Sequence, residues 1–275
     1  MRAASWVVAG TAVAACAVAL VVLREDEPDR AEYCVAQVDT LRAEVDLEQA
    51  RWTSLMAAMA AERGLPARAT TIAIATAYQE SRIHNIDYGD RDSVGLFQQR
   101  PSQDWGTVEQ IMDPVYATGR FYDALAKIDG YTELEITDAA QRVQRSAYPE
   151  AYADHEPFAR ALASSLMGYS PAAFSCQVNV REGGSLTDVE ELVRESFGAQ
   201  DVDRRREALD YPVRGAADER ARRGWRLAQF LVANAARLEL TSVSFDGRTW
   251  TAKDSPDGWV EDEDASAERV RVTVS

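Results

Sequence analysis

Three rhythms of apolar and polar positions run along this chain. The first is an unbroken apolar run. Residues 3–23, AASWVVAGTAVAACAVALVVL, contain no charge; Arg2 precedes them and Arg24-Glu25-Asp26-Glu27 follows. Such a run has the roughly 20 residues a helix needs to cross a bilayer core. Its flanks, basic before and acidic after, put the start of the chain inside the cell and the body outside. The pattern predicts a transmembrane signal anchor over 1–24 and a polar tether over 25–44. A cleaved signal peptide and a lipoprotein signal at Val13-Ala14-Ala15-Cys16 stay open as alternatives, but the apolar run continues beyond Cys16, which favours the anchor.

The second rhythm is helical. Asp46 and Gln49 form a capping box ahead of a stripe of Trp52, Leu55, Met56 and Met59, and Gly64 stands where a helix stops. Pro66 opens the next helix, ARATTIAIATAYQESRI, whose stripe is Ala69, Ile72, Ala73, Thr76 and Ala77. The following member of that stripe is Glu80, a carboxylate on the inward face. From Asn85 to Gly106 the helical period disappears into Gly, Asp and Ser, which predicts loops and a small hairpin. Helices then resume at Asp113-Pro114, at Thr137 and at Pro157, the last stopped by Gly168.

Residues 177–222 are rich in charge and poor in bulky apolar side chains. They read as a linker with exposed helices about Asp188–Phe197 and Arg204–Leu209. The third rhythm, strict alternation, follows one more helix (Trp225, Ala228, Val232, Ala235, Leu238). Two short alternating runs flank Asp246-Gly247, a hairpin turn, and Val270, Val272 and Val274 share one side of a last strand. The expected fold class is therefore a mainly α, lysozyme-like α+β domain at 45–176, preceded by a transmembrane helix. A charged linker at 177–222 and a small α+β unit at 223–275 complete it.

Charge narrows the partners. The net charge is −15 over 275 residues and no basic stripe occurs, which argues against nucleic acid. His84 and His155 are the only histidines and no Cys-x-x-Cys exists, so neither a metal nor another cofactor is expected. Outside the cell, Cys34 and Cys176 are expected to pair as a disulfide, with two free thiols as the alternative.

Gln79-Glu80-Ser81 ends one helix, and Gly95-Leu96-Phe97-Gln98-Gln99 follows after a short gap. In these residues, over roughly 45–175, the chain resembles the lytic transglycosylases and goose-type lysozymes of the lysozyme-like superfamily. Asp113-Pro114 with Gly119-Arg120-Phe121-Tyr122 is similar to that family's next helix. The resemblance implies an enzyme that cuts peptidoglycan glycan strands between N-acetylmuramic acid and N-acetylglucosamine. Glu80 would be the general acid, raised in pKa by an apolar wall, and Asp90 the second carboxylate. Ser81, Asp92, Gly95, Phe97, Gln98 and Gln99 would bind substrate or line the groove. Asp90 and Asp92 are equally readable as loop-shaping residues. The family's Ala-Tyr-Asn-Ala-Gly segment is absent; Gln144 and Tyr148 are the candidates for its contacts. A non-catalytic wall-binding or scaffolding protein on the same fold is the competing reading. Protein partners are not indicated.

The terminal unit carries a second resemblance. Trp225–Leu238 with Val243, Phe245-Asp246-Gly247-Arg248 and Trp250 is similar to the terminal domain of actinobacterial wall proteins related to D-Ala-D-Ala carboxypeptidases. Arg269-Val270-Arg271-Val272 stands where that group's zinc-binding histidines belong, which implies a shortened, metal-free unit.

Overall fold

The computed structural model describes residues 30–144 and 149–275. The predicted membrane anchor lies outside the described residues. Among those described, no helix is long and apolar enough to cross a membrane.

A three-stranded antiparallel sheet comes first. Its strands are β1 (Tyr33–Val38) and β2 (Leu41–Val45), joined by a hairpin, and later β3 (Phe174–Gln177), in the order β2-β1-β3. Between β2 and β3 run the helices α1 (Leu47–Glu62), α2 (Ala67–Ser81), α3 (Val108–Ile111), α4 (Pro114–Leu125), α5 (Ile136–Gln144) and α6 (Glu156–Leu166). After β3 come α7 (Leu186–Phe197), β4 (Asp203–Arg204), β5 (Ala208–Pro212), α8 (Ala217–Ala233) and α9 (Ala235–Leu238). The chain closes with β6 (Leu240–Phe245), β7 (Arg248–Thr251), β8 (Val260–Glu261) and β9 (Arg269–Val274). These strands make a six-stranded antiparallel sheet ordered β4-β5-β9-β6-β7-β8.

Two sheets overturn the expectation of a mainly α, lysozyme-like fold: the structure is 46 % helical and 18 % strand. The reason is visible in β2. Leu41, Ala43 and Val45 alternate with Arg42 and Glu44, a half-buried strand pattern. Ala43 and Val45 are buried while Arg42 and Glu44 pair in solvent. The expected tether at 25–44 thus contains a hairpin packed on α6. Residues 177–222, expected as a linker with exposed helices, carry the helix expected about Asp188–Phe197 as α7, but also β4, β5 and the start of α8. Arg204–Leu209, expected to be helical, instead turns between β4 and β5.

Cys34 and Cys176 face each other across β1 and β3 and form a disulfide. It closes a loop of 142 residues, which stabilises the fold by about 5 kcal/mol in the chain-entropy account.

The terminal sheet is fastened to the helical body by buried polar side chains. Gln229 of α8 donates to Ser165 O (2.6 Å) and accepts from Phe174 N–H (2.8 Å). Trp250 Nε1 donates to Cys176 O (3.0 Å) and Trp259 Nε1 to Phe174 O (2.8 Å). Gly224 permits this packing: a Cβ there would meet the Phe245 ring at 2.0 Å. Asp210 of β5 is buried in the sheet. Its carboxylate takes two hydrogen bonds from Arg271 of β9 (2.7 and 3.0 Å) and one from Arg205 (3.2 Å).

Candidate functional site

The apolar stripe of α2 is completely buried at Ile72, Ala73, Thr76 and Ala77. One turn later the same face carries Glu80, which is half-buried. The helix ends immediately afterwards. Arg82 (φ 56°) and Ile83 (φ 61°) both adopt the left-handed conformation, and Ile83 N–H reaches back to Ala77 O at 3.1 Å. A β-branched residue in that region is strained. Two contacts hold the turn: the Ile83 side chain is fully buried, and Gln49 Nε2 of α1 donates to Arg82 O at 2.8 Å. Glu48 secures the next residues, accepting from Asn85 N–H (3.2 Å) and meeting His84 Nδ1 (3.0 Å).

Burial pushes the Glu80 carboxyl above the ordinary glutamate range; hydrogen bonds from Tyr152 and Gln144 act the other way and do not cancel it. Tyr152, itself fully buried, donates to Glu80 Oε1 at 2.7 Å. It lies in a short 3-10 segment, Pro149–His155, packed on α2 and α5. Gln144 Nε2 also donates to Phe97 O at 2.6 Å, while its Oε1 is buried without a partner among the described residues. Beside the acid, His155 Nε2 meets Gln79 Oε1 at 2.8 Å, and the Tyr78 ring lies 4.7 Å from both the His155 and Phe158 rings.

Ser81 joins the acid's helix to the Gly-Leu-Phe-Gln-Gln segment. Its buried hydroxyl donates to Leu96 O at 2.7 Å and Ala77 O at 3.1 Å. Gly95 takes φ 80°, and a Cβ there would meet Ile111 O at 2.8 Å, so this glycine serves the approach of α3. Phe97 is fully buried and stacks on Phe121 (4.5 Å, 14°); its ring belongs to the core, and only its carbonyl reaches Gln144. Gln98, at φ 46°, donates to Tyr88 O and Gly95 O, both at 3.2 Å. Gln99 is buried and donates to Ala117 O at 3.2 Å.

Neither aspartate shares a hydrogen bond or ion pair with Glu80 among the described residues. Asp90 is 88 % exposed, with Arg91 Nε at 3.8 Å. Asp92 accepts from Arg100 Nε (2.7 Å) and Ser102 N–H (2.8 Å). Bonds from the Ser102 hydroxyl and backbone, then from Arg100, hold its carboxyl well below the usual carboxylate range. Glu80, Ser81 and Gln144 are thus brought together, with the Phe97 carbonyl; Asp92 shapes the neighbouring loop, while the Asp90 side chain faces solvent. Tyr148 lies outside the described residues. Tyr152 escaped the sequence reading. Its signal was a bulky ring between small neighbours, Ala151-Tyr152-Ala153, two residues beyond Pro149-Glu150 in a break between helices.

Among the described residues, no group of three or more His, Cys, Asp or Glu side chains converges to hold a metal. The family model described as VldE, C-terminal domain, matches residues 205–271, well under half the chain. That segment runs from β5 into β9, and its first and last residues, Arg205 and Arg271, are the two that hydrogen-bond Asp210. No curated protein matches the chain.

Proposed function

We propose that this protein cleaves the glycan strands of bacterial cell wall at the bond between N-acetylmuramic acid and N-acetylglucosamine, with Glu80 as general acid. The observation that carries the reading is the half-buried Glu80 carboxyl, pushed up in pKa and held by Tyr152 at 2.7 Å. A carboxylic acid protonated toward neutral pH is what protonation of a glycosidic oxygen requires. The Cys34–Cys176 disulfide suits a body that works outside the cytoplasm, anchored by the predicted N-terminal helix.

With Asp90 turned to solvent, the single-acid course is the better fit. Glu80 gives its proton to the glycosidic oxygen as the C1–O bond breaks. The muramic acid 6-hydroxyl oxygen then bonds to C1, and its proton returns to the Glu80 carboxylate. The product is a 1,6-anhydro sugar, with no water consumed. Tyr152 and Gln144 hold the carboxyl in place throughout, and Ser81 holds the loop beside it.

Incubating the purified protein with a cell-wall suspension tests this. Released muropeptides, lost in Glu80→Gln, are the expected result. Protein that sediments with the wall and releases nothing would mean a binding protein instead.

A further inference from the structure

Among the described residues, Tyr88 is the most exposed large apolar side chain, at 70 %. Tyr169, the next most exposed ring, is covered by the Arg222 guanidinium, 5.2 Å from its centroid. The Tyr88 ring has no such cover among the described residues. Its backbone, by contrast, is fixed. Gln98 Nε2 donates to Tyr88 O at 3.2 Å, and Gly95 N–H donates to Ile86 O at 2.7 Å. The chain at Gly89 lies so close on the Gln98 side chain that a Cβ there would meet its Oε1 at 1.8 Å. The ring is therefore presented by a held loop rather than by a loose tip.

The same contacts lead to the acid. Gln98 follows Phe97 in the chain, the Phe97 carbonyl accepts from Gln144 at 2.6 Å, and Gln144 hydrogen-bonds Glu80. A short unbroken series of direct contacts thus joins the Tyr88 loop to the Glu80 carboxyl. A glycan strand extends beyond the bond that is cut, and contacts to its remote sugars supply binding energy that the reacting centre uses. Each pyranose ring carries hydroxyls at its rim and C–H groups on its faces. Those faces match the phenol of a tyrosine, which joins an apolar surface to a polar tip. We propose that Tyr88 is a glycan subsite: its ring stacks on the face of a sugar outside the bond that is cut, in a strand running past Glu80. The assignment rests on the glycan reading of the Glu80 site, but not on catalysis there.

Titration calorimetry on the full chain carrying Glu80→Gln is the test, with the linear hexamer of N-acetylglucosamine as probe. Adding Tyr88→Ala should weaken hexamer binding about tenfold, the scale of one aromatic anchor, while Tyr88→Trp should keep it. An unchanged melting temperature in Tyr88→Ala would separate a lost contact from a lost fold. With Glu80 intact, Tyr88→Ala should slow muropeptide release from dilute cell wall by a similar factor. Hexamer binding that Tyr88→Ala weakens, in a native protein that releases no muropeptides, would uphold the subsite and remove the catalytic role of Glu80. Equal hexamer affinity with and without Tyr88→Ala overturns the subsite, and muropeptide release by the native protein would then still uphold Glu80. No hexamer binding up to about 10 mM, the weak end of specific affinity, overturns the subsite as well.

Discussion

Tyr152 donates a 2.7 Å hydrogen bond to Glu80 although 72 residues separate them, and the phenol is completely buried while the carboxyl is half-exposed. The bond favours the charged carboxylate and opposes the stronger effect of burial. A general acid must be protonated, so activity should fall as pH rises through the raised Glu80 pKa. Tyr152→Phe removes one charge-stabilising bond and raises that pKa further. The alkaline limb of the pH–rate profile should therefore move to higher pH, with the acid limb unmoved. An alkaline limb that stays put or moves down would exclude this role for Tyr152.

Glu80 also links stability to pH. A carboxyl whose folded pKa exceeds its unfolded value contributes stability that is complete below the unfolded pKa, near the ordinary 4.5. That contribution is lost as pH rises through the folded pKa. Glu80→Gln removes the dependence. Its melting temperature should exceed that of the native protein near pH 8, and the difference should vanish near pH 4. Activity should drop at least about a hundredfold in the same variant. A variant less stable at every pH would mean that the carboxylate is a structural partner.

How much of this was visible in the sequence depends on whether a residue's partners are near it in the chain. The Asp46–Gln49 capping box is local and forms as read. Glu80 follows from a stripe of one helix, so its inward face was also legible. Phe97 was expected at a groove and instead stacks on Phe121, a partner that no local period announces. The strands at 33–45 were hidden for a similar reason. Their alternation is short and charged, and the strand that completes their sheet, β3, is supplied only after α6. Charges at 203–207 masked Ala208–Tyr211, whose inward Asp210 makes sense only once Arg271 is brought beside it.

Ser81 is a positioning residue. Ser81→Ala leaves the buried Leu96 carbonyl without its 2.7 Å donor, at a cost of about 1–3 kcal/mol. Urea unfolding should show a lowered midpoint with unchanged slope. Below that midpoint, turnover should fall too, since Leu96 is one residue from the Phe97 carbonyl that binds Gln144. Full activity with full stability would remove Ser81 from the site.

Asp210 tests whether the segment similar to the VldE C-terminal domain is held by its buried charge. Its carboxylate is 1 % exposed, but Arg205 and Arg271 are 62 % and 44 % exposed. Water therefore softens the loss, and Asp210→Asn should cost about 2–4 kcal/mol, at or below the range for a buried pair. Hydrogen bonds from Arg271 hold the Asp210 pKa below its usual value. Its contribution is thus present above the unfolded pKa and lost as pH falls through the folded one. Acid unfolding curves should be shallower in the variant; parallel curves would assign the acid sensitivity elsewhere.

The last prediction separates transglycosylation from hydrolysis. An inverting hydrolase needs a second carboxylate about 6.5–9.5 Å from the acid to activate water. Asp90 is 88 % exposed and pairs only with Arg91, 3.8 Å away, among the described residues, so nothing in the fold fixes its carboxylate for that task. Asp92 is committed to Arg100 and Ser102. Asp90→Asn should therefore leave turnover within about twofold, far short of the hundredfold or more that general-base loss costs. Mass spectrometry of the released sugars should find ends lighter by one water, the anhydro form, in both proteins. Asp92→Asn, by contrast, should lower thermal stability by loosening the loop that Ser102 closes. Reducing ends in the native digest, abolished by Asp90→Asn, would mean that Asp90 reaches the substrate after all. The loop from Tyr88 to Ser93 would then have to fold inward when glycan binds.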